Sequence, residues 1–274
     1  MRWTKRKETM RFGAMNFPVH PVVDEIRAIA ALGFDYLELT LDAPLAHHTE
    51  VRRQRSEILG ALADGGLGLV CHLPTFVYTA DLTPALRQAS RDEIRRSLDV
   101  AADLGAEKVV AHPPAISFMG ARAMDRVRPL VEEGMAEMLA HAASLGVCVC
   151  LENMFPRYRV GVEPSAFEPL LAAWPELRLT LDVGHAFIED RKAQRLLAFI
   201  ETLGHRVGHL HLSDNRGQRD EHLPLGKGRI PYARIARALT HHVTMETITL
   251  EIFTDRREDL VDSREFFRRL LASG

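Results

Sequence analysis

The chain has 274 residues, with 35 Lys+Arg against 37 Asp+Glu and a net charge of −2. That balance argues against attachment to nucleic acid through bulk positive charge, while leaving a local basic groove open. No apolar run reaches the roughly 18 residues of a membrane span, and three cysteines, Cys71, Cys148 and Cys150, cannot build a disulfide framework, so reduced thiols and a cytoplasmic location are expected. A chain of this length buries about 75% of the surface its unfolded form exposes. It needs no metal to fold, and any metal it binds is expected to serve function.

Residues 1–9 are basic and lack an apolar stretch, so they are expected to form a flexible tail ahead of one domain over 10–274. Short apolar, β-branched runs then recur at Arg11–Met15, Tyr36–Leu41, Gly68–His72, Lys108–His112, Val147–Glu152, Arg178–Asp182, Val207–Leu212 and Thr247–Ile252. Amphipathic helical patterns lie between and after them, at Pro21–Leu32, Glu50–Ala63, Ser90–Leu104, Ala121–Leu145, Pro164–Ala173, Lys192–Leu203, Pro231–Leu239 and Ser263–Leu271. Ser90-Arg91-Asp92-Glu93 has the form of a capping box opening the third helix. Glycines after Leu32, Leu104, Leu145 and Leu203 are placed to stop helices. Alternating strands and helices imply a parallel sheet. Eight units of about 34 residues, with no excess length, predict a single (β/α)8 TIM barrel, an α/β fold.

Six consecutive predicted strands end in a side chain that can hold a metal. They are His72, His112, Glu152, Asp182 (followed by His185), His211 and Glu251. Strand parity puts Val70 with His72, Val110 with His112, Cys148 and Cys150 with Glu152, Thr180 with Asp182, His209 with His211 and Thr249 with Glu251. All six terminal residues therefore point inward at the carboxyl ends of the strands, where barrels of this kind carry their active sites. Like-charged carboxylates gathered out of water stay ionised only beside a cation. The mixed nitrogen and oxygen donors suit Mn²⁺, Zn²⁺, Fe²⁺ or Co²⁺. The loop after His211, SDNRGQRDEHLPLGKG, offers Asp220 and His222 as further ligands. Arg216, Arg219 and Lys227 add positive charge for hydroxyl or phosphate oxygens, and the GKG glycines can present backbone amides to an anion. Glu38 shares the inward parity and can reach the site, His209 is expected to support His211, and His47-His48 and His241-His242 are expected to be solvated loop pairs.

HLHLSDN, RDEHLPLGKG, LEN and LDVGH together resemble the xylose-isomerase-like barrel superfamily from Met10 onward. That superfamily holds sugar isomerases and epimerases and also endonuclease IV. The resemblance to its keto-sugar epimerases implies one divalent metal held by Glu152, Asp182, His211 and Glu251. It further implies a substrate held by His185 and by Arg216 or Arg219, in a homodimer or homotetramer acting on a small carbohydrate. Mn or Zn is expected first, with Co or Fe also compatible. The expected chemistry is a metal-stabilised enediolate, with Glu152 and Glu251 exchanging protons with the substrate carbon. Endonuclease IV is similar in nine ligands for three zinc ions, which fall here on His72, His112, Glu152, Asp182, His185, His211, Asp220, His222 and Glu251. Against that enzyme, the first strand reads GAMNFP and lacks a GxHVS-like opening. The alternatives are therefore an endonuclease IV-like zinc phosphodiesterase on abasic DNA, a metal-dependent dehydratase of a sugar acid or cyclitol, and a non-catalytic sugar or metal sensor. Nucleic acid is not the expected partner.

Overall fold

The structure, a computed structural model, describes residues 10–273. The expected tail at residues 1–9 lies outside the described residues. Eight parallel strands, β1 (Arg11–Met15), β2 (Tyr36–Thr40), β3 (Gly68–His72), β4 (Val109–Ala111), β5 (Val149–Glu152), β6 (Arg178–Asp182), β7 (Val207–Leu212) and β8 (Thr247–Leu250), close into a barrel in sequence order. The helices are α1 (Val22–Ala31), α2 (His48–Arg53), α3 (Arg55–Gly65), α4 (Pro84–Asp103), α5 (Met124–Ser144), α6 (Glu168–Ala173), α7 (Val183–Phe187), α8 (Gln194–Leu203), α9 (Tyr232–His242) and α10 (Glu258–Ser273). The (β/α)8 architecture is the one expected.

Helical periodicity explains how the outer ring docks. Val22, Glu25, Ile26 and Ile29 on α1 are buried at i, i+3, i+4 and i+7. Leu196, Phe199, Ile200 and Leu203 on α8, and Tyr232, Ile235, Ala236 and Leu239 on α9, repeat the same spacing. These stripes pack on the outward strand residues, among them Leu39, Cys71, Val109, Leu151, Leu181 and Leu210, in one continuous core. The inward residues make a separate, smaller core of Tyr36, Val70 and Val110. Tyr36 fills the barrel so fully that a Cβ on Gly13, on the neighbouring strand, would collide with its ring.

Several local expectations change. The third helix begins at Pro84, whose fixed φ suits a first helical position, so Ser90 lies within α4 and caps nothing. The Ser90 hydroxyl instead accepts a hydrogen bond from Tyr78 N at 3.0 Å. The expected helix over 50–63 is two helices meeting at Gln54. Gly33, Gly105 and Gly146 take the left-handed conformation expected after a helix, but Gly204 is right-handed and opens a 3₁₀ turn. There the absent side chain serves close packing, since a Cβ would sit 2.6 Å from His242 O. His241 and His242 are exposed in the last turn of α9 rather than in a loop. His48 is not solvated; it is 3% exposed and begins α2, with His47 at its N-cap. Among the described residues, no helix is long and apolar enough to cross a membrane.

Gly13→Ala should force the Tyr36 ring or the backbone to move, at about 1–3 kcal/mol. Urea unfolding checks this, and an unchanged midpoint would mean the barrel interior is looser than the packing implies.

Candidate metal centre

Strand ends set the geometry. In the β6–β7 register Asp182 stands beside His211, and β5 brings Glu152 opposite Thr180 on β6. Glu251 follows the last residue of β8, and His112 the last residue of β4. Asp182 caps α7, and its Oδ1 accepts from His185 N at 2.5 Å, which turns Oδ2 toward the barrel axis. Asn153 clamps the same residue, accepting from Asp182 N at 2.8 Å and donating to Asp182 O at 3.0 Å.

One imidazole nitrogen then meets three carboxylates. His211 Nδ1 lies 3.1 Å from Glu251 Oε2, 3.4 Å from Glu152 Oε1 and 3.8 Å from Asp182 Oδ2. Its other nitrogen, Nε2, donates to Glu38 Oε1 at 2.9 Å. In the neutral ring, the nitrogen facing the carboxylates therefore carries a lone pair. All four of these facing atoms are buried and lack a hydrogen-bond partner. One ligand atom from each of the four residues lies within 4.8 Å of the others. Lone pairs crowded out of water repel unless a cation sits among them, so these residues fit a divalent metal. Two glutamates, one aspartate and one histidine suit Mn²⁺, Zn²⁺, Fe²⁺ or Co²⁺.

Two further sets of imidazoles adjoin this one. His72 Nε2 and His112 Nε2 lie 3.4 and 3.2 Å from Glu152 Oε2, the oxygen that faces away from His211. His185 Nε2 and His222 Nε2 each lie 3.0 Å from Asp220 Oδ2. His72 Nδ1 donates to Leu73 O at 2.8 Å, His185 Nδ1 to Asn153 O at 3.0 Å and His222 Nδ1 to Glu251 O at 3.1 Å. A carbonyl can only accept, so the proton of each neutral ring is fixed on Nδ1 and the Nε2 lone pair faces a carboxylate. All nine residues of the wider ligand set thus gather at one end of the barrel.

The basic residues of the loop are at the surface. Arg216 Nη1 pairs with Glu221 Oε1 at 2.5 Å, its side chain more than half exposed, and Arg219 and Lys227 are exposed. The GKG glycines also do something different from the expectation. Gly226 N donates to Asp214 Oδ2 at 2.9 Å, and a Cβ on Gly228 would collide with Asp214 Oδ1. The anion they meet is the protein's own aspartate, which also accepts from Asn215 N at 2.9 Å and Ile230 N at 3.2 Å. Asp214 and Asn153 are therefore organising residues that sequence reasoning passed over. Their only signal was adjacency, Asp214 within HLHLSDN and Asn153 directly after Glu152. Below the centre, fully buried Glu38 binds His209 Nε2 at 2.9 Å as well as His211, and Thr249 Oγ1 donates to it. His209 is held by Thr247 Oγ1 at 2.7 Å and supports the centre through Glu38, without facing the carboxylates above.

Protonation states follow from these neighbours. Burial opposes charge on His211, but Glu38 and Glu152 outweigh it and raise its pKa well above the ordinary value. Burial likewise opposes charge on Glu152, but His211 and His112 outweigh it and hold its pKa well below the carboxylate range. Asp182 is pushed up to about 8, by burial first and by Glu152 and Glu251 in addition.

A model of the family described as "Xylose isomerase-like TIM barrel" matches residues 26–270. The chain is 23% identical to a fructoselysine 3-epimerase of Escherichia coli O157:H7 over 270 residues, covering 92% of this chain and 94% of that one. Among solved structures it is similar to a D-tagatose 3-epimerase-like protein, with a TM-score of 0.82 and 24% identity over 96% of this chain and 98% of that one. It is also similar to a Thermus thermophilus protein soaked with zinc chloride, with a TM-score of 0.72 and 26% identity over 97% of this chain and 99% of that one.

Two outcomes are expected of the centre. A cation must displace the proton that Asp182 holds below about pH 8 and the proton on His211, whose pKa is raised well above its ordinary value, so affinity should rise with pH through the Asp182 region. Each displaced proton contributes about tenfold per pH unit. Zinc titrations at pH 6.5 and 8.5 check this, and equal affinities would sink it. Glu38→Gln should weaken metal binding by about 10–100-fold through loss of His211 orientation, read by competition with a chelator.

Proposed function

The chain belongs to the xylose isomerase-like TIM barrel family, and from that premise we propose that it is a divalent-metal-dependent sugar or sugar-phosphate epimerase or isomerase. The observation that carries this reading is the set of four unpartnered buried atoms on Glu152, Asp182, His211 and Glu251. The sugar 3-epimerases among the similar proteins support the substrate class. A cation held by those four residues would supply a Lewis acid for the substrate carbonyl and its neighbouring hydroxyl, favouring loss of the adjacent C–H proton.

The proton transfers fall to the chain itself. Glu152 and Glu251 stand three strands apart around the mouth and reach the substrate carbon from different sides. One takes the proton from the carbon next to the carbonyl. The other delivers a proton to the opposite face, which inverts the centre, or to the neighbouring carbon, which isomerises the sugar. Histidines outweigh burial and hold the pKa of both glutamates below the ordinary value, so the abstracting glutamate begins as a base and the delivering one must first take a proton from solvent. His185, with Nδ1 toward Asn153 O and Nε2 3.0 Å from Asp220 Oδ2, would orient a substrate oxygen through Nε2 by exchanging Asp220 for the substrate. Phe17 and Phe253, with ring centroids 5.4 Å apart and Phe253 also against His222 at 4.6 Å, offer an apolar wall to the C–H face of a sugar.

A second reading has its own observation. His72, His112 and Glu152 form a second group able to hold a cation, and His185 and His222 converge on Asp220 Oδ2. That arrangement favours a multinuclear zinc phosphodiesterase resembling endonuclease IV. Elemental analysis separates the two once only ions lost on replacing barrel-mouth residues are counted: one such ion per chain favours the epimerase, while three together with cleavage of an abasic oligonucleotide favour the phosphodiesterase.

For the first reading, Glu152→Gln or Glu251→Gln should lower turnover by about 10²–10⁴-fold while the metal is retained. The assay follows deuterium incorporation from D₂O into a panel of ketohexoses and their phosphates by NMR. Near-full activity of either variant on a sugar that the wild-type protein turns over would overturn the assignment.

A further inference from the structure

A second group of potential ligands lies outside the barrel mouth and shares no residue with it. His47 caps α2, His48 is its first residue, and Glu93 projects from the middle of α4. His47 Nε2 and His48 Nε2 lie 2.9 and 3.0 Å from the same oxygen of Glu93, Oε2. The three ligand atoms fall within 4.8 Å of one another. The two rings are packed with centroids 4.0 Å apart, so neither can swing away without displacing the other.

The side chain of His48 is 4% exposed, and its Nε2 is buried with no properly aligned hydrogen bond despite its closeness to Glu93. A polar atom in that condition normally has a partner. His47 Nδ1 accepts from Thr49 N at 3.4 Å and also lies 2.8 Å from Thr49 Oγ1, so coordination through Nε2 requires the ring proton to move to Nδ1, where Thr49 Oγ1 can accept it in place of the cap bond. His47 and Glu93 are about one-third exposed, leaving a path for an ion and for a completing water. The groups facing His48 are His47, Glu93 and Arg96. Burial and then His47 lower the His48 pKa, Glu93 opposes them, and Arg96 lowers it further, so the ring is neutral at physiological pH. Two imidazoles and one carboxylate form the three-ligand donor set of an open zinc site.

We propose that His47, His48 and Glu93 bind a borderline divalent cation such as Zn²⁺, with water as the fourth ligand, and that this ion staples the β2–α2 connection to α4. Its consequence is mechanical: it ties a segment leading away from the barrel mouth to a helix belonging to the next β/α unit.

The test uses Zn²⁺ as the probe on the full chain. After equilibration with buffered zinc and gel filtration, the His47→Ala/Glu93→Gln variant should carry one zinc fewer per chain than wild type. Equal counts in the two proteins would overturn the proposal. A second measurement needs no variant: zinc should protect His47 of the wild-type chain from diethyl pyrocarbonate, read by peptide mass spectrometry. Modification of His47 at the same rate with and without zinc would likewise overturn it. Neither readout uses catalytic turnover, so the outcome is independent of what the barrel mouth does.

Discussion

Negative charge withdrawn from water at the barrel mouth is the constraint on which the rest of the site depends. Glu38, Glu152, Asp182 and Glu251 are all buried, and among the described residues no lysine or arginine is paired with Glu152, Asp182 or Glu251. Histidines meet that charge in part, by holding protons when no cation is present. A divalent ion meets it more fully. The surrounding polar structure follows from the need to keep those oxygens pointed inward: Asn153 gripping the backbone of Asp182, the turn of α7 drawing off one oxygen of Asp182, and Glu38 fixing the ring of His211 from below.

The barrel interior supports this from beneath. Tyr36, Val70 and Val110 fill the space between the strands, and Lys108 Nζ donates to Gly208 O at 2.8 Å near the opposite end. Dry side chains below the ligands keep water from competing for them, which strengthens every charge interaction above. Glu38 sits at the boundary between the apolar filling and the ligand layer. Unlike the carboxylates above it, its oxygens are already satisfied, by His209, His211 and Thr249.

The sequence made the barrel readable because its strands carry inward residues at period two and eight strand–helix units follow one another, with strand starts from 25 (Arg11 to Tyr36) to 41 (Gly68 to Val109) residues apart. It made the strand-end cluster visible for the same reason: His72, Glu152, Asp182 and His211 are the last or next-to-last residues of their strands. The less visible parts depend on contacts between segments distant in the chain. His48 looked solvated because its neighbours in sequence are polar, yet α4 folds over it and brings Glu93, 45 positions away, to its ring. Arg216 pairs through one guanidinium nitrogen with Glu221, five residues on. The capping motif at Ser90 lost to Pro84, whose ring starts the helix a turn and a half earlier. For His48 and Ser90 a nearer or stronger partner, invisible to local pattern, decided the outcome.

Asp214 draws the backbone amides of Asn215, Gly226 and Ile230 onto its own carboxylate, and Leu223 pairs with it across the loop. The segment carrying Asp220 and His222 is therefore shaped largely from within, with Tyr232 O–H on Ser213 O anchoring its root. A loop built this way is a self-contained cassette. Its tip, with Asp220 and His222, is thus held by contacts of its own, apart from those that position Glu152, Asp182, His211 and Glu251.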